Sequence, residues 1–295
     1  MPTNDSAALP YATWQATADA HFKKAQKWTM PYRSRRAAGT MHPSHDFVFI
    51  YFRFAPALLE GWHPGLGVSF EAPKDIEGYS EKYYTRDGDM LHLDPSKIDP
   101  KARKRLQWSL DLCRSIKNKP AQFSCFGMHE WAMVYQGGPE GRPRHEGKLP
   151  MRLPQAEIDA IVEQRPTCCS HFDAFRFFTE TAKPFNKINP TQDERMLNEQ
   201  PGCLHTNMDL YKWTAKAMPW VGSDLLWDTF EYAIRCREID MRASPYDCLS
   251  LGLEPIKIET EVGREDYERE QRALTEAGKP LRARLIAALE AILQA

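Results

Sequence analysis

Apolar residues recur along this chain at helical spacing far more often than at the two-residue spacing of strands. From Thr13 to Met30, Trp14, Ala18, Phe22, Ala25 and Trp28 fall three or four positions apart, which predicts an amphipathic helix that Pro31 should end. The stretch Ser44 to Glu60, centred on FVFIYFRFAPALL, is too continuously apolar for a half-exposed element. It reads as a buried helix, with a core strand and short helix as the alternative, and Pro56 makes its end irregular. Between Gly67 and Asp94 the character changes: VSFE, EKYYT and MLHLD surround Arg86-Asp87-Gly88-Asp89, the signature of a hairpin with an Asp-Gly turn. Asp99 is placed to cap a helix running to Pro120.

Further on, Ser124 to Gln136 predicts a second buried helix, and the Gly-, Pro- and charge-rich run from Gly137 to Pro154 an exposed loop. Helix follows over Gln155 to Gln164. Thr167 to Phe178 is aromatic, and Asn186 to Gln200 reads as loop around a short helix. Leu204 to Met218 and Ser223 to Met241 are helices separated by Pro219 and Gly222; EPIKIET suggests a strand, and Arg264 to Leu293 a long helix with a charged face. No internal repeat or low-complexity tract interrupts this. The expected fold class is mainly α: a single helical domain over residues 1–295, with a small β-hairpin insertion at about 67–94 and an exposed loop at about 137–154.

A chain of 295 residues can bury most of its apolar surface, so neither disulfide nor metal is required merely to hold it together. The net charge of -1 gives no global attraction to nucleic acid or anionic membranes and leaves only local basic patches to consider. Seven cysteines without a CxxC pair, two of them the adjacent Cys168 and Cys169, argue against a disulfide framework. With no signal-peptide pattern and no apolar run long enough to span a bilayer, the expected location is cytoplasmic, without a membrane partner.

Histidines and acids cluster inside the apolar segments. FGMHEWAMVY holds His129 and Glu130, SHFDAFRFF holds His171 and Asp173, and CLHTNMDLYKW holds His205 and Asp209. A polar group buried without a partner costs on the order of 1–3 kcal/mol, so three such segments imply either a fully paired network or a site, and the three histidines are expected to converge. His205 and Asp209, four apart, share a helix face and can orient each other for acid-base work or point at one metal. Asp209, His205, Asp173 and His171 are the candidate catalytic residues. His42, His63, His129, His171 and His205 are candidate ligands for a divalent metal or iron, although HExxH and CxxC spacings are absent. Arg242, in REIDMRASPYD, either ties a helix end to the next turn or holds a phosphate or carboxylate. Arg33, Arg35 and Arg36, beside Tyr32 and Trp28, are either a solvated helix end or contacts to DNA phosphates. No phosphate loop, GxSxG elbow or Cys-His signature is present.

HPSHDFVFIYF, GWHPG, FGMHEWAMVY, HFDAFRFF, PGCLHTNMDLYKW and IDMRASPYD together resemble a bacterial family, common in actinobacteria, whose members often carry the name 3-methyladenine DNA glycosylase. The resemblance runs from about His42 to Arg284. The recurrent residues carried over are His42, His63, His129, Glu130, His171, Asp173, His205 and Asp209. The resemblance implies excision of an alkylated purine flipped from DNA into an aromatic pocket. Asp209 or Asp173 would stabilise the cationic sugar. Trp131, Tyr135, Tyr211 and Trp213 would stack on the base, with His129, Glu130 and Arg242 also lining the substrate site.

Two other readings stand beside base excision. One is a metal- or haem-dependent oxidoreductase that uses the buried histidines and acids as ligands. The other is a non-catalytic ligand-binding or interaction protein whose polar cluster is a structural network; a small-molecule substrate is the alternative to DNA as partner.

Overall fold

The computed structural model describes residues 8–138, 149–165 and 167–295. The fold is mainly α, with eleven α-helices and one small three-stranded antiparallel sheet among the described residues. Two compact units make up the chain. The first comprises Met1–Asp111, Leu210–Glu231 and Leu281–Ala295; the second comprises Leu112–Asp209 and Tyr232–Pro280.

The first unit opens with α1 (Tyr11–Ala37), which runs straight through Pro31 instead of ending there. An interior proline costs about 3 kcal/mol, so continuation must be rewarded on its far side. It is: Tyr32 stacks on Phe49 at 4.6 Å, Arg33 forks onto Glu60 with Nη2–Oε2 at 2.7 Å, and Arg35 Nε reaches Asp46 at 2.9 Å. Pro31 itself is exposed. The apolar stretch after Ser44 forms two short helices, α2 (Phe47–Phe52) and α3 (Pro56–Glu60), not one. Arg53 adopts a left-handed φ of 58° that stops α2, and Ala55, preceding a proline, is extended.

The sheet has the order β1-β3-β2, with β1 (Ser69–Glu71), β2 (Tyr84–Asp87) and β3 (Met90–Leu93). Gly88, with φ 58°, makes the β2–β3 turn where the Asp-Gly pair places it. Phe70 and Tyr84 turn inward from this sheet toward Trp14 and Tyr79. Asp99 accepts from the Ala102 amide at 2.8 Å and so caps α4 (Pro100–Lys117).

The second unit holds α5 (Met128–Val134), α6 (Gln155–Gln164), α7 (Phe172–Phe175) and α8 (Arg195–Asn198). To these it adds the start of α9 (Leu204–Lys216), the end of α10 (Ser223–Ala243) and most of α11 (Glu261–Gln294). EPIKIET is not a strand. The Ile258 amide bonds to the Ile256 carbonyl at 2.9 Å, a γ-turn, so the chain curls to bury both isoleucines where an extended strand would need a partner. Of the expected 137–154 loop, residues 139–148 lie outside the described residues. Among the described residues, no helix is long and apolar enough to cross a membrane.

The GWHPG segment has a structural explanation within the first unit. Ser223 donates its amide to the His63 carbonyl and accepts the His63 amide on its hydroxyl, each at 2.8 Å, while the Leu66 amide reaches Trp220 O. Gly65 (φ +90°) sits so close to Gly222 that a Cβ would lie 3.2 Å from the Gly222 nitrogen. The His63 ring is thereby held with Nδ1 2.8 Å from the Tyr84 hydroxyl. Burial keeps that phenol protonated, so it donates and Nδ1 accepts. Burial, helped by the nearby His21, pushes His63 down to about 4.

Gly65→Ala is therefore expected to cost about 1–3 kcal/mol through a strained φ and a backbone collision, read as a shift in the urea midpoint without change in slope. His63 sets a pH dependence as well. Its pKa is about 4 in the fold against an ordinary 6.5, so between these values the unfolded chain binds the extra proton. Stability is lost as pH falls from about 6.5 to about 4, and His63→Gln should shrink the difference between urea midpoints at pH 7.5 and 4.5. An equal difference in both proteins would show that His63 does not carry it.

Candidate metal centre

Five segments of the second unit bring charged and imidazole side chains into one interior. α5 starts after two left-handed residues, Phe126 and Gly127. That entry leaves every residue of α5 buried, including His129 and Glu130. A Gly127 Cβ would press on Ala243 and Tyr267, so glycine suits both the φ and the close approach. The first two turns of α9 present His205 and Asp209. The last turns of α10 present Arg237 and Asp240. His171, preceding α7, and the α8 segment Arg195 to Glu199 complete the set.

The three histidines meet as expected. The rings of His129 and His205 are 4.3 Å apart and edge-on, and those of His171 and His205 are 5.6 Å apart. Around them, two groups of three potential ligands form. His129, His205 and Asp240 offer atoms within 4.8 Å of one another, as do His171, Glu199 and Asp209; all six residues are buried.

The groups differ in what already fills them. Arg195 occupies the second: its Nη2 donates to Asp209 at 2.7 Å, its Nε to Glu199, and its Nη2 lies 3.4 Å from His171 Nε2. That group is an ion-pair network closed around a guanidinium. In the first, Arg237 bonds Asp240 Oδ2 and, at 2.6 Å, Glu130. Asp240 Oδ1 faces the imidazoles and pairs with His129 Nε2 at 2.9 Å. No guanidinium lies between these two atoms, and with a ring nitrogen of His205 they fall within 4.8 Å of one another, close enough to share one ion.

The electrostatics agree. Glu130, Glu199, Asp209 and Asp240 are four buried carboxylates facing two buried guanidiniums, Arg195 and Arg237. Burial lowers the His129 pKa, but the Asp240 charge outweighs it and raises it overall, favouring an imidazolium. Burial is opposed likewise at Asp240, where His129 and Arg237 hold the carboxylate ionised. Burial and the neighbouring His129 push His205 well down, so it stays neutral with a lone pair available.

Beside His129 and His205 lies an enclosed cavity of about 10 Å³, bordered by Cys125, Cys203, Gln200 and Tyr267 among others. It has room for one water-sized molecule. A haem does not fit there.

The remaining expected site residues are elsewhere or otherwise engaged. Asp173 is a partly exposed partner of Arg176 and Arg195. Trp131 donates its Nε1–H to Ala243 O, and Tyr135 its hydroxyl to Glu163 at 2.8 Å. Arg242 spans to the Glu254 carbonyl and Glu270, tying the helix end to the next turn. His42, His63, Tyr211 and Trp213 belong to the first unit. His42 Nδ1 accepts the Ser44 and His45 amides and its ring stacks on His45, so that nitrogen is engaged. Tyr211 packs against Phe52 and Phe230, and Trp213 against Trp108. Of the arginines expected at DNA phosphates, Arg33 and Arg35 are bound to Glu60 and Asp46; Arg36 is exposed. Conversely, Glu199, Arg195, Arg237 and Asp240 were not expected as site residues. The one sequence signal was Arg237 and Asp240 three apart at a helix end.

Compared with known protein families, curated proteins and solved structures, the chain matches none.

The position of Asp209 changes what its substitution should do. It is bound to buried Arg195, so Asp209→Asn leaves a guanidinium short of a counter-charge and should destabilise by about 3 kcal/mol. Chemical denaturation checks this; a variant as stable as the parent would mean the ion pair contributes nothing.

Proposed function

We propose that the chain is a metal-dependent enzyme whose centre is His129, His205 and Asp240. The observation that carries this reading is the convergence of Asp240 Oδ1, His129 Nε2 and a ring nitrogen of the neutral His205, all buried and within 4.8 Å of one another, beside a water-sized cavity. Two imidazoles and one carboxylate with an open position form the donor set that holds ferrous iron or catalytic zinc. A bound ion there would supply Lewis acidity or redox chemistry to a small molecule in the cavity. The chain's own contribution is orientation. Arg237 fixes the Asp240 carboxylate through Oδ2 and leaves Oδ1 for the metal, and the surrounding apolar side chains exclude bulk water.

Base excision, the reading implied by the family resemblance, has less support. Asp209 is tied up by Arg195, Tyr211 and Trp213 are buried in packed aromatic contacts, and the cavity beside the histidines is far smaller than a purine. The observation that bears on it is the exposed Arg36.

Untagged protein should carry about one equivalent of iron or zinc by elemental analysis, and removing it with a chelator should lower Tm. His129→Ala, His205→Ala and Asp240→Asn should each cut metal occupancy roughly tenfold or more, with His42→Ala and His63→Ala unchanged. Metal-free protein that melts like the purified form, or full occupancy in His205→Ala, removes the proposal. Release of alkylated base from DNA by metal-free protein would instead support base excision.

A further inference from the structure

The first unit contains a cleft of about 590 Å³ that the histidine–carboxylate cluster does not involve, a size typical of small-molecule sites. Its apolar lining comes from Tyr32 and Phe49, stacked on each other, with Phe54 and the half-exposed Ile50. Arg36 and Arg53 also line it, and both are exposed. The acid among the lining residues, Asp46, is already neutralised by Arg35 and also accepts the His42 amide. Neither Arg36 nor Arg53 forms an ion pair with any described residue. The cleft therefore joins an apolar lining to two guanidiniums without counter-charges.

Arg53 adds a second observation. It ends α2 with φ 58°, a position that glycine usually fills because a side chain there is strained. An arginine is held at that position, where it lines the cleft.

We propose that this cleft binds a phosphate monoester with an aromatic or otherwise apolar body. Two guanidiniums lining one cleft match the charge of a phosphate dianion, and Phe54 and Ile50, beside the buried Tyr32–Phe49 stack, take the body. The site is independent of the metal centre, since its residues share none of those ligands.

Fluorescence titration of the full chain with 1-naphthyl phosphate tests it, with 1-naphthol lacking the head and inorganic phosphate lacking the body. Saturable binding is expected for 1-naphthyl phosphate, with both controls weaker by roughly tenfold or more. Arg36→Ala and Arg53→Gly should each weaken it by about tenfold while leaving 1-naphthol unchanged, because only the head contact is lost. Arg53→Gly suits the left-handed backbone and should not lower Tm, so lost binding is separable from misfolding. Phe54→Ala should weaken both naphthyl compounds. The proposal is overturned by absence of saturable binding at millimolar 1-naphthyl phosphate. It is equally overturned by naphthol binding as tightly as its phosphate, or by arginine variants within twofold of the parent. Metal content is expected to be unchanged in all three variants, so failure here is distinct from failure of the metal centre.

Discussion

Buried carboxylates paired with two buried guanidiniums dominate the second unit, because a charge in a low-dielectric interior is tolerated only where an opposite charge and hydrogen bonds answer it. The arrangement of that interior follows from this constraint. Arg195 holds Glu199, Asp209 and the partly exposed Asp173 and reaches His171, while Arg237 holds Glu130 and Asp240. What the arginines leave over is one carboxylate oxygen and two imidazole nitrogens around Asp240.

The two ligand groups show why proximity of His and acid residues is a weak sign of a metal by itself. Both satisfy the same distance test, and both are fully buried. In one, a guanidinium already occupies the point of convergence; in the other, the carboxylate oxygen meets the imidazoles directly. The two groups adjoin through the rings of His171 and His205.

Much of the site's membership was legible because its cost was legible. A histidine beside an acid inside FGMHEWAMVY or CLHTNMDLYKW demands a partner, and three such demands in one chain point to a shared interior. Which acid answers which histidine was not legible. The four-residue spacing of His205 and Asp209 suggests that they serve each other, yet Asp209 bonds Arg195 and His171, while His205 faces His129 and Asp240. Asp240 lies 35 residues further along, at the end of another helix. Local spacing tells which residues share a face and says nothing of what that face meets.

The sequence by itself determined the helical class, most helix positions, the Asp-Gly hairpin turn and the Asp99 cap, because each rests on interactions within a few residues. It also determined that His129, His171 and His205 must be satisfied in the interior. Tertiary structure decided the rest. It carried α1 through Pro31, where the stacking of Tyr32 and the pairing of Arg33 and Arg35 outweigh a lost backbone bond. It curled EPIKIET, which has no strand to pair with, and it assigned Tyr211 and Trp213 to packing in the first unit. It alone decided that Arg195 closes one group of ligands while Arg237 leaves the other open. The physical reason is that long-range charge pairing depends on which helix ends meet, and no periodicity along one helix records that.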